Sequence, residues 1–187
     1  MSTTKPQKDV HIPTWTLNNF IRPLFEKPHR YDQEVIQGQV VADLGCGPGY
    51  YTFPLADKVG PTGKIYAVDS DPKAIRVIEQ KAAKGNYRHI ETHTCSAANL
   101  DFIADGSVDF VLADGLLCCV TPQDHPQAVR EIIRILKPEG KAYLVAGRTS
   151  VAYMNDSEWE DILNEFNVLR RNSPPYKGDY WAWVKKR

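Results

Sequence analysis

The chain has no surplus of charge: 23 Lys and Arg stand against 23 Asp and Glu in 187 residues, so the formal net charge is zero. A protein that holds nucleic acid non-specifically needs a basic field, and none exists at the scale of the whole molecule. Long apolar runs are also missing. The longest, Val108 to Val120, is interrupted by Asp109, Asp114 and Gly115 and falls short of the roughly 18 residues of a spanning helix. No membrane role is therefore expected. Met1 to Asp9 are polar without an apolar core, which gives no sign of a secretory leader. Cysteine is scarce, and Cys46, Cys95, Cys118 and Cys119 are poorly spaced for a disulfide framework, because one sits between glycines and two are adjacent. Free thiols in a reducing cytoplasm are expected. His11, His29, His89, His93 and His125 share no metal-ligand spacing beyond the pair His89 and His93, which falls on a predicted strand, so no metal is expected.

What is present is the composition of one soluble domain, 42% hydrophobic and 25% charged, in a chain long enough for one sizeable core. Residues 1 to 13 read as a frayed arm. Trp15, Leu17, Phe20, Ile21 and Leu24 then give an apolar face from Thr14 to Phe25, interrupted at Pro23, and a short helix is predicted over Asp32 to Gln37. From Val40 the texture changes. Strands are predicted at Val40 to Leu44, Lys64 to Val68, His89 to Thr94, Val108 to Ala113 and Lys141 to Ala146. Helices fall between them at Tyr51 to Ala56, Pro72 to Lys84 and Pro122 to Leu136. The last of these carries Thr121 as its expected cap and an apolar stripe of Ala128, Val129, Ile132, Ile133 and Leu136.

Such alternation means right-handed crossovers and a parallel sheet covered on both faces, an α/β sandwich of Rossmann-like type. The final residues differ. A helix at Ser157 to Asn164 is followed by strands at Phe166 to Arg170 and Tyr180 to Lys185, close enough in sequence to form an antiparallel hairpin at one edge.

Parallel sheets bind ligands beyond the carboxyl ends of their strands. Gly45-Cys46-Gly47-Pro48-Gly49 stands at that place after the first strand, and Asp69 ends the second, where an acid can accept both hydroxyls of a ribose. The dinucleotide fingerprint needs a small residue three positions after its second glycine, to let helix and strand approach. Here Tyr50 and Tyr51 crowd the loop, and Asp43 lies two positions before it. A carboxylate there repels a pyrophosphate and suits a nucleoside bearing positive charge.

At this point the chain resembles the class I S-adenosylmethionine-dependent methyltransferases, over roughly residues 30 to 187. Val41-Ala42-Asp43-Leu44-Gly45-Cys46-Gly47-Pro48-Gly49 looks like the first motif of that family, Val68-Asp69-Ser70-Asp71-Pro72 its second, and Leu136-Lys137-Pro138-Glu139-Gly140 the stretch before its fifth strand. The resemblance implies a seven-stranded sheet ordered 3-2-1-4-5-7-6 with the seventh strand antiparallel, and S-adenosyl-L-methionine as cofactor. It also implies a cofactor site made of Asp43, Gly45, Cys46, Gly47, Pro48, Gly49, Asp69, Ser70, Ser96, Ala97, Ala113, Asp114 and Leu116. Within it the glycines would lie under the methionine and ribose, Asp43 near the amino group, Asp69 on the ribose and Ser70 beside the adenine. Ser96 replaces the acid that often holds the adenine amino group, so a weaker contact is expected there.

Methyl transfer from a sulfonium is an in-line displacement and needs no dedicated base. Asp114 is the one candidate catalytic residue, and capping of backbone amides is an equal use for it. Ala113-Asp114-Gly115-Leu116 does not match the Asn/Asp-Pro-Pro-Tyr/Phe pattern of the nucleobase amino-methylating enzymes, which disfavours that substrate class. Cys118 and Cys119 read as small buried hydrophobes. The clusters Arg170-Arg171 and Lys185-Lys186-Arg187 read as solvated charge. Trp15, Phe20 and Phe25, with Arg30 and Tyr31, are candidate lid residues, while Trp159, Trp181 and Trp183 are expected to pack at the sheet edge. The expected division is residues 1–37, an arm with lid helices, and residues 38–187, the cofactor-binding domain, as a monomer or homodimer. So little spare chain favours a small-molecule acceptor. A protein or RNA methyltransferase and a cofactor-binding module needing a partner subunit are the alternatives.

Overall fold

A computed structural model describes residues 34–147 and 154–187. Seven strands form one sheet in the order β3-β2-β1-β4-β5-β7-β6. They are β1 (Val40–Leu44), β2 (Lys64–Asp69), β3 (Ile90–Thr94), β4 (Val108–Asp114), β5 (Leu136–Ala146), β6 (Phe166–Arg171) and β7 (Tyr180–Lys186). Strands β1 to β5 pair in parallel, and β7 runs antiparallel to both β5 and β6. The expected sheet order, the antiparallel seventh strand and the terminal hairpin are all present. The helices are α1 (Thr52–Val59), α2 (Pro72–Gly85), α3 (His125–Ile135) and α4 (Asp156–Asn164).

The central strands read as nearly continuous apolar runs because both faces are covered. On one face Tyr51, Leu55 and Val59 of the α1 region meet Val41, Ile65 and Leu112, and Ile75 and Ile78 of α2 meet Ala67. On the other, Ala128, Ile132 and Ile135 of α3 and Trp159 and Ile162 of α4 close over Leu44, Val111 and Leu144. The crossovers start where the sequence tells them to. Asp71 caps α2 by accepting the Lys73 N–H at 2.8 Å, with Pro72 in the first turn. Asn155 and Glu158 form a reciprocal capping box on α4.

Several expectations need correction. Thr121 does not cap α3. Its hydroxyl donates to Asp124 Oδ2 at 2.8 Å within a turn, and the helix begins at His125, after Pro122 has been used in that turn. Strand β5 starts at Leu136, directly after α3, because Leu136 pairs with Val108 before the register shifts and resumes at Lys141. Residues 34–37, assigned to a helix from sequence, are not helical and lead into a turn at Gln37 and Gly38. Trp181 and Trp183 stand on β7, one strand in from the edge, and Trp159 is fully buried against Tyr180. The arm, the Thr14 to Phe25 helix and the candidate lid residues Trp15, Phe20, Phe25, Arg30 and Tyr31 lie outside the described residues.

Candidate active site

The carboxyl ends of β3, β2, β1 and β4 are neighbours, and every sequence-predicted site residue sits along that edge. Asp43 is buried at the end of β1, where its Oδ2 accepts the Thr52 hydroxyl at 2.7 Å. Gly45 and Cys46 both donate their N–H groups to Val68 O, at 2.8 and 3.1 Å, which turns the loop back over β2. Gly47 N–H then donates to Asp69 Oδ2 at 2.8 Å, while Asp69 Oδ1 accepts the Asp71 N–H at 2.8 Å. One carboxylate thus fixes both the glycine loop and the start of α2.

Two glycines are required by geometry. Gly49 has φ +89°, and a Cβ there would lie 2.7 Å from the Phe53 ring and 3.1 Å from Ile78. At Gly45, φ +74°, a Cβ would meet Leu116 at 3.3 Å, so the loop after β4 lies directly against the loop after β1. Lys81 of α2 donates to Pro48 O at 3.3 Å. Ser70 follows Asp69, and Ser96 and Ala97 follow β3. The Ser96 hydroxyl accepts the Ala98 N–H at 3.2 Å, and Cys95 N–H donates to Asp69 O at 3.1 Å, which ties this turn to β2. Ala113 is buried, Asp114 and Leu116 are half-buried, and Gly115 N–H donates to Val145 O at 2.9 Å.

Burial, then the carboxylates of Asp43 and Asp69, push the Cys46 thiol well above its usual range, so it stays protonated and is no nucleophile. Cys118 shifts the other way, lowered first by its contact with Cys119, 3.9 Å between sulfurs, and by the Gly147 N–H at 3.3 Å. His89 and His93 are engaged separately, His89 with Ala56 O and His93 with Glu91 and the Phe102 ring.

Three contributors were not foreseen from sequence. Thr52 supports Asp43 from α1. Replacing it with Val is expected to lower folding stability by about 1–2 kcal/mol, read as a lower urea midpoint, because a hydrogen bond to a buried carboxylate is lost. Glu131, 6% exposed, accepts the Leu100 N–H at 2.9 Å and two donors of Arg134, and Arg134 also holds the Leu100 and Ile103 carbonyls. That pair fastens the segment that carries Ser96 and Ala97 onto α3. Its signal was present: Glu131 shares the helical face of Ala128, Ile132 and Ile135.

A seven-stranded sheet of this order, with a glycine loop over β1 and a carboxylate ending β2, defines the class I methyltransferase architecture. Residues 41–140 match the family described as methyltransferase domain, and the chain belongs to that family. A demethylmenaquinone methyltransferase of Lactobacillus johnsonii is 28% identical over 92% of this chain and 76% of its own length. Further relatives of that name are matched over 42% to 58% of their length. Among solved structures, a SAM-dependent methyltransferase from Aquifex aeolicus has a TM-score of 0.72 at 22% identity, covering 91% of this chain and 95% of that one. The 1,6-didemethyltoxoflavin-N1-methyltransferase of Burkholderia thailandensis, solved with its acceptor and S-adenosylhomocysteine, has a TM-score of 0.67 at 18% identity, covering 93% of this chain and 81% of that one. This chain is an S-adenosylmethionine-dependent methyltransferase, with S-adenosylmethionine as its cofactor.

Proposed function

We propose that the protein transfers the cofactor's methyl group to a small-molecule acceptor at the edge formed by β1, β4 and β5. The observation that carries this is the 2.8 Å bond from Gly47 N–H to Asp69, which sets a bare glycine backbone beside a carboxylate aimed past the strand ends. The residues present suit the cofactor. Gly45, Gly47 and Gly49, with Cys46 and Pro48 between them, give its methionine and ribose a cradle that is mostly backbone, Asp69 accepts the ribose hydroxyls, and Ser70, Ser96 and Ala97 border the adenine. Asp43, behind the loop, supplies negative charge for a cationic ligand where a pyrophosphate would be repelled. Ala113, Asp114 and Leu116 close the other side.

When bound, the cofactor supplies an electrophilic methyl on a sulfonium. The chain's part is alignment and exclusion of water. Asp114, ending β4 one strand from Gly45, is the candidate for orienting the acceptor or taking its proton. Zero net charge and the methyl acceptors named for the relatives favour a compact acceptor over a polyanion or a protein.

Incubation with S-adenosylmethionine and fractionated small metabolites is expected to yield S-adenosylhomocysteine, while total RNA and protein substrates yield none. Turnover on RNA or protein alone would overturn the small-molecule reading. Turnover appearing only when a second protein is added would favour the partner-dependent module.

A further inference from the structure

We propose that the groove between α3 and α4 binds a linear aliphatic polyamine whose ammonium groups stand three and four carbons apart. The groove shares no residue with the cofactor site, so its ligand is independent of the methyltransferase reading. Its volume is about 350 Å³, at the lower end of the range of small-molecule sites.

The two walls differ in character. At the start of α3, Pro122 and Pro126 give an apolar side. On α4, Glu158, Asp161 and Glu165 recur at spacings of three and four residues and therefore line one side of the helix together. Between the walls Val129 and Ile162 make the floor, and they are only 3% and 6% exposed. So narrow a cleft admits a polymethylene chain, but neither an aromatic ring nor a helix seated on its floor.

The carboxylate row is not neutralised. Glu158 gives one oxygen to the Asn155 N–H, and among the described residues Glu158, Asp161 and Glu165 join no ion pair. Arg130, which also lines the groove, turns its guanidinium to Gln127 Oε1 on its own helix, at 2.8 and 3.1 Å. Like charges along one side of a helix repel. Glu165 is the C-cap of α4, where the negative end of the helix dipole favours a cation.

His125 points to a ligand independently of that row. The residue is 6% exposed, and its Nε2 lies 2.9 Å from Val120 O. A carbonyl only accepts, so Nε2 carries the proton and Nδ1 the lone pair. No hydrogen bond reaches Nδ1 among the described residues, yet the atom is not sealed from solvent, and the ring lines the groove. An acceptor at that place suits an N–H donor.

Spacing narrows the class of cation. Along α4 the three carboxylates are offset by about 4.5 and 6 Å, at 1.5 Å per residue. An extended chain advances about 1.25 Å per bond, so spacers of three and four carbons set successive nitrogens about 5 and 6 Å apart. A triamine with those spacers places one ammonium beside each carboxylate while its methylenes cover the apolar floor.

Calorimetric titration of the full chain at low ionic strength tests this, with spermidine, putrescine, trilysine and magnesium chloride as probes. Spermidine is expected to bind one to one, putrescine about tenfold more weakly for want of one ammonium, and trilysine and magnesium more weakly still. Asp161 is exposed, and Asp161→Asn should weaken spermidine about threefold to tenfold. Arg130→Gln should tighten it about twofold to threefold, because a competing cation is removed. No spermidine binding, indifference to Asp161→Asn, or failure of Arg130→Gln to tighten the complex would each overturn the proposal. Trilysine binding as tightly as spermidine would overturn it in favour of a basic peptide. Magnesium binding as tightly would overturn it in favour of general attraction of cations to an acidic surface.

Discussion

Replacing Asp69 with Ala is expected to raise the dissociation constant for S-adenosylmethionine by about tenfold to a hundredfold, or about 1.5–3 kcal/mol. The upper end follows from its double duty. The carboxylate would lose its bonds to the ribose hydroxyls, and Gly47 N–H and Asp71 N–H would lose the acceptor that now holds the glycine loop to the start of α2. Asp69→Asn separates the two roles in part, since the amide keeps one acceptor oxygen but presents an NH2 to the other donor. Its affinity should fall between those of Asp69→Ala and the natural chain. Calorimetric titration of the three proteins reads this directly, and unchanged affinity in Asp69→Ala would show that the second motif does not hold the cofactor.

Glu131→Ala is expected to cost about 2–4 kcal/mol of folding stability, measured by urea unfolding at neutral pH. Removing one member of a buried ion pair leaves the other uncompensated, and here it also strands the Leu100 N–H. The cost stays below that of a fully enclosed pair because Arg134 is one-quarter exposed and keeps Asp105. The Arg134 guanidinium, and then the Leu100 amide, hold the Glu131 carboxyl below the ordinary carboxylate range. A depressed carboxyl pKa gives stability that is fully present above the unfolded-state value near 4.5 and is lost as pH falls through the folded value. The gap between Glu131→Ala and the natural chain should therefore narrow below about pH 4.5. A gap that stays constant to pH 3 would mean that the ion pair is not its source.

The sheet was legible because its strands carry the pattern of burial on both faces, and β1 and the terminal hairpin were assigned to within a residue or so from their β-branched runs and the Pro-Gly loop between β6 and β7. The site's backbone was legible for a related reason. Glycines at a strand-to-helix turn and an acid at the next strand end are local in sequence, so spacing alone gathers them. What escaped was non-local or depended on register. Thr52 is an ordinary first-turn residue until α1 packs over β1 and brings it within 2.7 Å of Asp43. One extra residue in β6 sets Arg170 opposite Trp183, where period-two alternation from Val168 would set it opposite Ala182. Thr121 failed as a cap because Thr-Pro followed by Asp124 satisfies a turn as well as a helix start, and the hydroxyl's bond to Asp124 decided for the turn.

The central claim is that the loop from Gly45 to Gly49, locked to Asp69, holds the methyl donor. Titration of S-adenosylhomocysteine into the natural chain and into Asp69→Ala tests it most directly. One-to-one binding to the natural chain, weakened at least about tenfold by Asp69→Ala with the fold intact by circular dichroism, is the predicted result. No binding to the folded natural chain, or equal affinity in both proteins, would contradict it.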